Sequence, residues 1–277
     1  MRYWPAEWNS MSRPGPTETE DSDMGMSRVQ RVAEAFISVA DVLDADVDTL
    51  VLAGRLVSHC IELTDADTAG LLLVDARGRL RTVASSDRRA EALDRLQART
   101  GEGPGVDSLR SGEPVRAPRL DTRAERWPQY TGLAGDVGVH GVYALPLTVR
   151  DQPVGALNLL VSDAREIPVE DLTVAASLAG VAVGAMLRWR PEPLRPSDIS
   201  TRIQSVISSK AALETAIGML AASDGLTVTD ASRALRNYAR RSGTPAVAVA
   251  QRLLGRTLAP QEVLGTAPVA RPADPTG

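Results

Sequence analysis

Three prolines fall within seven residues of this chain, in the stretch Arg190-Pro-Glu-Pro-Leu-Arg-Pro196. Proline fixes φ and removes a backbone donor, so neither a helix nor a strand ladder runs through such a segment. The stretch reads as a stiff linker over 190–197, and the residues on its two sides have to fold as separate units. A length of 277 residues is enough for two of them.

Before the linker, helices and strands alternate. Val29, Val32, Phe36, Val39 and Leu43 recur at helical spacing, as do Leu50, Leu56, Val57, Cys60 and Ile61. The apolar run 69–74 meets the turn Asp75-Ala76-Arg77-Gly78, and Leu80 to Ala84 returns as its partner strand. Segments 142–149 and 153–161 form a second hairpin around Arg150-Asp151-Gln152, and an apolar helix runs from Pro168 to about Trp189. Two hairpins with helices between and after them predict an α+β domain over 28–189, an antiparallel sheet packed by helices.

After the linker the pattern is purely helical. Ile199, Ile203, Val206, Lys210, Leu213, Ile217 and Leu220 alternate at four-three spacing, a heptad seam. Gly225 ends that helix, Thr227 with Asp230 three residues on starts a second, and Ser242-Gly243 closes it. Thr244-Pro245 opens a third, so 198–258 reads as a small all-α three-helix bundle. The seam, with helices 28–43 and 168–189, predicts the surfaces of a homodimer. Residues 1–27 and 259–277, rich in proline with acidic or small residues, are expected to be disordered tails.

Composition removes several chemistries. One Cys and two His exclude a disulfide scaffold and a Cys/His zinc cluster, and are too few to suggest haem. Cys60 falls on an apolar helical stripe and reads as core, His59 is its neighbour, and His140 sits in a Gly-rich turn. Gly101-x-Gly-x-Gly105 has no Walker lysine and reads as a loop. Glu102, Asp107 and Glu113 have no nucleophile or metal set beside them, so no enzyme, metal or cofactor is expected. No apolar run approaches the roughly 20 residues that cross a bilayer, and 1–27 lacks an apolar core segment. The expectation is a soluble cytoplasmic protein with no membrane contact.

Charge separates the two halves. The chain carries −4, but 196–258 holds eight basic against four acidic residues, and five arginines with no acid lie between 235 and 256. In the second helix of the bundle Ala231, Leu235 and Tyr238 form one stripe, while Arg233, Arg236 and Arg240 form another with Asn237 and Arg241 beside them. Planar guanidinium forks suit phosphate and stack on unpaired bases. The same pattern also fits a solvated arginine face, because 31 basic residues include a single lysine, Lys210.

The stretch Ser209-Lys-Ala-Ala-Leu-Glu-Thr-Ala-Ile-Gly-Met-Leu220, with Gly225-Leu226 and Ala231-x3-Leu235-Arg236-x-Tyr238-Ala239, resembles the ANTAR domain. That resemblance implies a three-helix module that binds RNA, typically tandem stem-loops in a nascent transcript, and prevents transcription termination. It implies that Lys210, Gly218, Arg236 and Tyr238 belong to the RNA-facing or fold-defining set. Ile217 stands where that family usually has Lys, and Thr215 where it usually has Gln.

Upstream, Gly101-Glu-Gly-Pro-Gly105, Gly112-x-Pro114, Arg126-Trp-Pro128 and Leu145-Pro-Leu147-x5-Pro153-x-Gly155-Ala-Leu-Asn158 resemble a GAF sensor domain. The pair is similar to actinobacterial GAF–ANTAR regulators. The resemblance implies a small ligand held between the sheet and its middle helices, with Trp127, Tyr130, Val142 and Tyr143 as pocket candidates that fit core packing equally well. The bilin and sulfoxide chemistry of some GAF proteins needs suitably placed cysteines, and Cys60 does not fit. Two alternatives stay open: a bundle that reads duplex DNA, and a sensor and dimerisation protein whose bundle binds protein.

Overall fold

The computed structural model describes residues 26–40, 49–149, 152–187 and 196–265. Helices α1 (Arg28–Ala40) and α2 (Thr49–Leu63) lead into the hairpin β1 (Thr68–Val74) and β2 (Leu80–Ser85). Then come α3 (Arg88–Thr100), α4 (Pro104–Ser111), the short β3 (Val115–Ala117) and α5 (Pro128–Asp136). Strands β4 (Gly141–Val149) and β5 (Gln152–Val161) precede α6 (Val169–Met186). The C-terminal part is all helix: α7 (Pro196–Asp224), α8 (Val228–Ser242), α9 (Ala246–Leu254) and α10 (Pro260–Leu264).

The five strands form one antiparallel sheet in the order β2-β1-β5-β4-β3. Helices cover both faces, which is why β1 and β5 read as continuous apolar runs rather than alternating ones. Leu71, Leu73, Tyr143, Leu145, Leu157 and Leu159 face α1, α2 and α6 in the larger core. Val142 and Leu160 face the other way, onto α3 and α5, and Leu72 packs with Val106 of α4. Helix α6 is long and apolar enough to cross a bilayer by length and composition alone, but its buried residues pack into the larger core.

The heptad seam has a different use from the one expected. Ile199, Ile203 and Val206 are buried in the core of the α+β domain, whereas Leu213, Ile217 and Leu220 pack against α8 and α9. One apolar face of α7 is divided between two partners within the chain, so the seam is not a free dimer surface. The tail expectation also changes. Residues 260–264 form α10, where the Glu262 carboxylate accepts the Ala259 N–H at 3.0 Å and Val263 is buried in the bundle. Pro260 in the first turn and one buried valine suffice to dock a helix too short to show periodicity. The expected tails over 1–25 and 266–277, the turn at 150–151 and the linker prolines Pro191 and Pro193 lie outside the described residues.

Candidate functional site

Helix α8 is fixed at both ends by local chemistry. The Thr227 hydroxyl accepts the Asp230 N–H at 3.1 Å, and Gly243 closes the helix at φ 63°. Ala231, Leu235 and Ala239 are buried at four-residue spacing, and Tyr238 packs half-buried beside them. The stripe rule then turns Arg233, Arg236 and Arg240 outward, and all three are exposed, as is Arg241. Arg233 pairs with Asp230, and Arg240 Nη2 donates to Asn237 Oδ1 at 3.3 Å. Arg233, Arg236, Arg240 and Asn237 line an open depression along the helix. Arg240 and Arg241 lie in the last turn, where the helix dipole favours cations.

The first helix of the bundle contributes less than expected to that surface. Gly218 is exposed on α7, and a Cβ there would meet nothing within 4 Å. Ile217 packs half-buried against the core of the bundle. Lys210 points at the α+β domain. Its Nζ lies 3.8 Å from Glu214, and burial lowers its pKa, with Glu214 and Glu91 as the leading opposing charges. The structure therefore groups Arg233, Arg236, Asn237 and Arg240 on one face, with Arg241 exposed at its edge, and places Lys210 elsewhere.

The pocket candidates divide in the same way. Trp127 and Tyr130 are buried together in an edge-to-face pair, with centroids 6.4 Å apart, and Val142 shares their cluster. Tyr143 does not join them. Successive strand residues point to opposite faces, so its ring lies in the other core, where its hydroxyl donates to Arg165 O and accepts the Ile167 N–H, each at 3.1 Å. The expectation that Val142 and Tyr143 line one pocket is corrected on that ground.

Sequence reasoning missed the polar centre of this layer. Asp94 of α3 is fully buried, with Oδ1 accepting from Asn158 Nδ2 at 2.8 Å. Its Oδ2, Asn158 Oδ1 and the Tyr130 hydroxyl are buried with no hydrogen-bond partner among the described residues. Burial pushes the Asp94 carboxyl up to about 7, against the Asn158 hydrogen bond and the Lys210 charge, and holds the Tyr130 hydroxyl well above its usual range. Gly70 makes room for this group, because a Cβ there would lie 2.0 Å from Asp94 Oδ2. The first turn of α4 serves the same centre, since the Gly105 N–H donates to Gln97 Oε1 at 2.7 Å. Glu102 caps α5 by accepting the Gln129 N–H at 2.8 Å, and Asp107 accepts Trp127 Nε1–H at 2.9 Å. These two carboxylates are structural. Cys60 is buried and its thiol pushed up to about 12, which removes it as a nucleophile. Among the described residues no three His, Cys, Asp or Glu side chains gather as a metal site.

Comparison with known proteins gives two family matches in tandem. The family model for the GAF domain matches residues 47–186, and the model for the ANTAR domain matches 201–254. No curated protein matches. Among solved structures, the GAF domain from an Acinetobacter phosphoenolpyruvate-protein phosphotransferase is 14% identical, covering 68% of this chain and 97% of that one, with a TM-score of 0.45. The GAF domain of the corresponding Coxiella burnetii protein is 17% identical, covering 56% and 93%, with a TM-score of 0.45.

Proposed function

The chain belongs to the GAF-domain family and carries an ANTAR domain behind it, the make-up of a signal-sensing regulator, and from this we propose that it regulates transcription by antitermination. In this reading the ANTAR bundle binds RNA stem-loops in a nascent transcript, in the cytoplasm, and the GAF domain takes the signal. The observation that carries it is the row of exposed arginines Arg233, Arg236 and Arg240 on a helix capped at both ends. Such a row presents several phosphate-binding forks at fixed spacing on a rigid support, with Asn237 and Arg241 beside it. Tyr238 acts from within the bundle by holding the helix, and Gly218 leaves room for a close approach on the outer face of α7.

The sensing site in this reading is the layer between the sheet and α3–α5. Trp127, Tyr130 and Val142 supply apolar walls, and Asp94, Asn158 and the Tyr130 hydroxyl supply polar atoms without partners, which a small ligand would satisfy. A homodimer forms through the outer helices of the sensor, where Val29 and Ile37 of α1 and Val51 of α2 are exposed.

The test is binding of the full chain to an RNA carrying two small stem-loops, titrated against salt, with duplex DNA as competitor. Affinity should fall with salt, and Arg236→Ala should reduce the slope of log affinity against log salt by about one. RNA affinity that is absent, or insensitive to salt, overturns the reading. Preference for the duplex would favour the DNA alternative.

A further inference from the structure

A cleft of about 1090 Å³ opens where α7 crosses the β1–β2 hairpin and α3. Among the described residues its lining includes Arg77, Arg79, Arg81, Arg95, Arg99 and Lys210, against two carboxylates, Asp75 and Glu214. Both carboxylates are already engaged. Asp75 accepts the backbone N–H groups of Arg77 and Arg79 at 2.9 Å each and Arg81 Nε at 3.0 Å. This closes a tight turn, with Gly78 at φ 76°, and it aims the arginines of the turn from a rigid base. Arg95 pairs with Glu91 at 2.7 Å, and Glu214 lies farther off, 3.7 Å from Arg95 and 3.8 Å from Lys210. Among the described residues Arg77 and Arg99 have no carboxylate within 4 Å. Thr82, whose hydroxyl is buried without a partner among the described residues, lines the same space.

The excess of cations is not an open face such as that of α8. It is concave and walled by two domains, which Gln204 of α7 also ties together by accepting the Ala76 N–H at 3.4 Å. A concave wall of one charge sign focuses the field and favours a counter-charge over water. Guanidinium forks from the β1–β2 hairpin and α3, with the Lys210 ammonium of α7, match tetrahedral oxyanions better than a single carboxylate, and a cleft of about 1090 Å³ has room for more than one phosphate. We propose that this cleft binds a small ligand bearing two or more phosphate groups, held at once by the sensor domain and by α7. The site is separate from the apolar layer around Tyr130 and from the arginine row of α8, and it does not rest on RNA binding.

The experiment uses the full chain and inorganic tripolyphosphate, measured by calorimetry at two salt concentrations. Binding is expected, weaker at the higher salt. Arg77→Ala with Arg99→Ala should weaken it on the order of tenfold or more, given the worth of hydrogen bonds to charged groups. Both side chains are exposed and, among the described residues, unpaired, so the fold should be kept, and Arg99→Glu provides a second variant with a larger loss. Arg236→Ala should leave tripolyphosphate binding unchanged. No binding, or binding untouched by the Arg77 and Arg99 changes, or binding lost equally in Arg236→Ala, overturns the proposal. It is also overturned if those changes weaken stem-loop RNA instead while tripolyphosphate fails to bind, since the phosphates would then be those of the RNA backbone. Tripolyphosphate binding without any RNA affinity would leave the cleft standing and remove the antitermination reading alone.

Discussion

The buried carboxyl of Asp94 makes a quantitative prediction. Desolvation is the leading cause of its high pKa of about 7, and Asn158, Lys210 and Gln97 only partly oppose it. In the unfolded chain an aspartate titrates near 3.9, about three units lower, so the difference is worth about 4 kcal/mol. The sign follows from proton counting. Between pH 4 and 7 the unfolded state has released its proton while the folded state still holds it, so stability falls as pH rises, and the full penalty stands above about 7. The Asp94→Asn variant keeps the oxygen that Asn158 donates to and removes the group that ionises. Urea unfolding of both proteins, followed by tryptophan emission from pH 4.5 to 8, isolates the effect. Asp67, Asp75 and Asp87, held below the usual carboxylate range, act in the opposite direction but cancel in the difference between the two proteins. The variant should gain on wild type steadily across the window, by about 1.4 kcal/mol per pH unit, and level off above pH 7. A difference that stays flat from pH 4.5 to 8 refutes the argument that this carboxyl is neutral in the fold.

Two further outcomes test the surfaces. Gly218→Ala places a methyl in open space on an exposed helix, so it should stabilise α7 by about 1 kcal/mol while weakening RNA; a variant with raised melting temperature and unchanged RNA affinity would take Gly218 out of the interface. Val29→Glu with Ile37→Glu should shift the mass in light scattering from dimer to monomer without lowering the melting temperature, because both side chains are exposed. A wild-type chain that is monomeric at high concentration refutes that surface.

Legibility in the sequence followed how local each signal is. Both hairpins, α6 and the caps of α8 at Thr227 and Gly243 could be read because an apolar run or a cap is complete within a few residues. The arginine row was legible for the same reason: Ala231 and Leu235 fix which side of α8 is inside. Asp94 and Gln97 were not, since polar residues on α3 look alike whether they face water or Gly70, and only β1 decides. Asn158 was open to suspicion as the one polar residue within the apolar run of β5, yet its partner lies 64 positions away. The split of Val142 from Tyr143 needed only the two-residue period of a strand. Lys210 was visible on the apolar seam, but the sequence says only that this face is buried, not that two different partners bury it.

That division limits how a signal can pass along α7. The helix has 29 residues, so it spans about 43 Å, and its first half lies on the sensor while its second half is part of the bundle. Lifting it off the sensor would expose Ile199, Ile203 and Val206, each almost fully buried. At about 1.5–3 kcal/mol for each side chain, that costs roughly 5–9 kcal/mol before the sensor surface beneath is counted. A ligand that prefers one state a thousandfold supplies about 4 kcal/mol. Detachment is therefore out of reach of such a ligand acting alone. A movement that keeps the three apolar contacts and rearranges Lys210, Glu214 and Arg95 at the point where α7 changes partners costs less, because that apolar area stays buried and the pairs to be rearranged are long, 3.7 Å for Arg95–Glu214 and 3.8 Å for Lys210–Glu214. The energetics favour a shift of the helix in place, centred on Lys210, over release of the bundle.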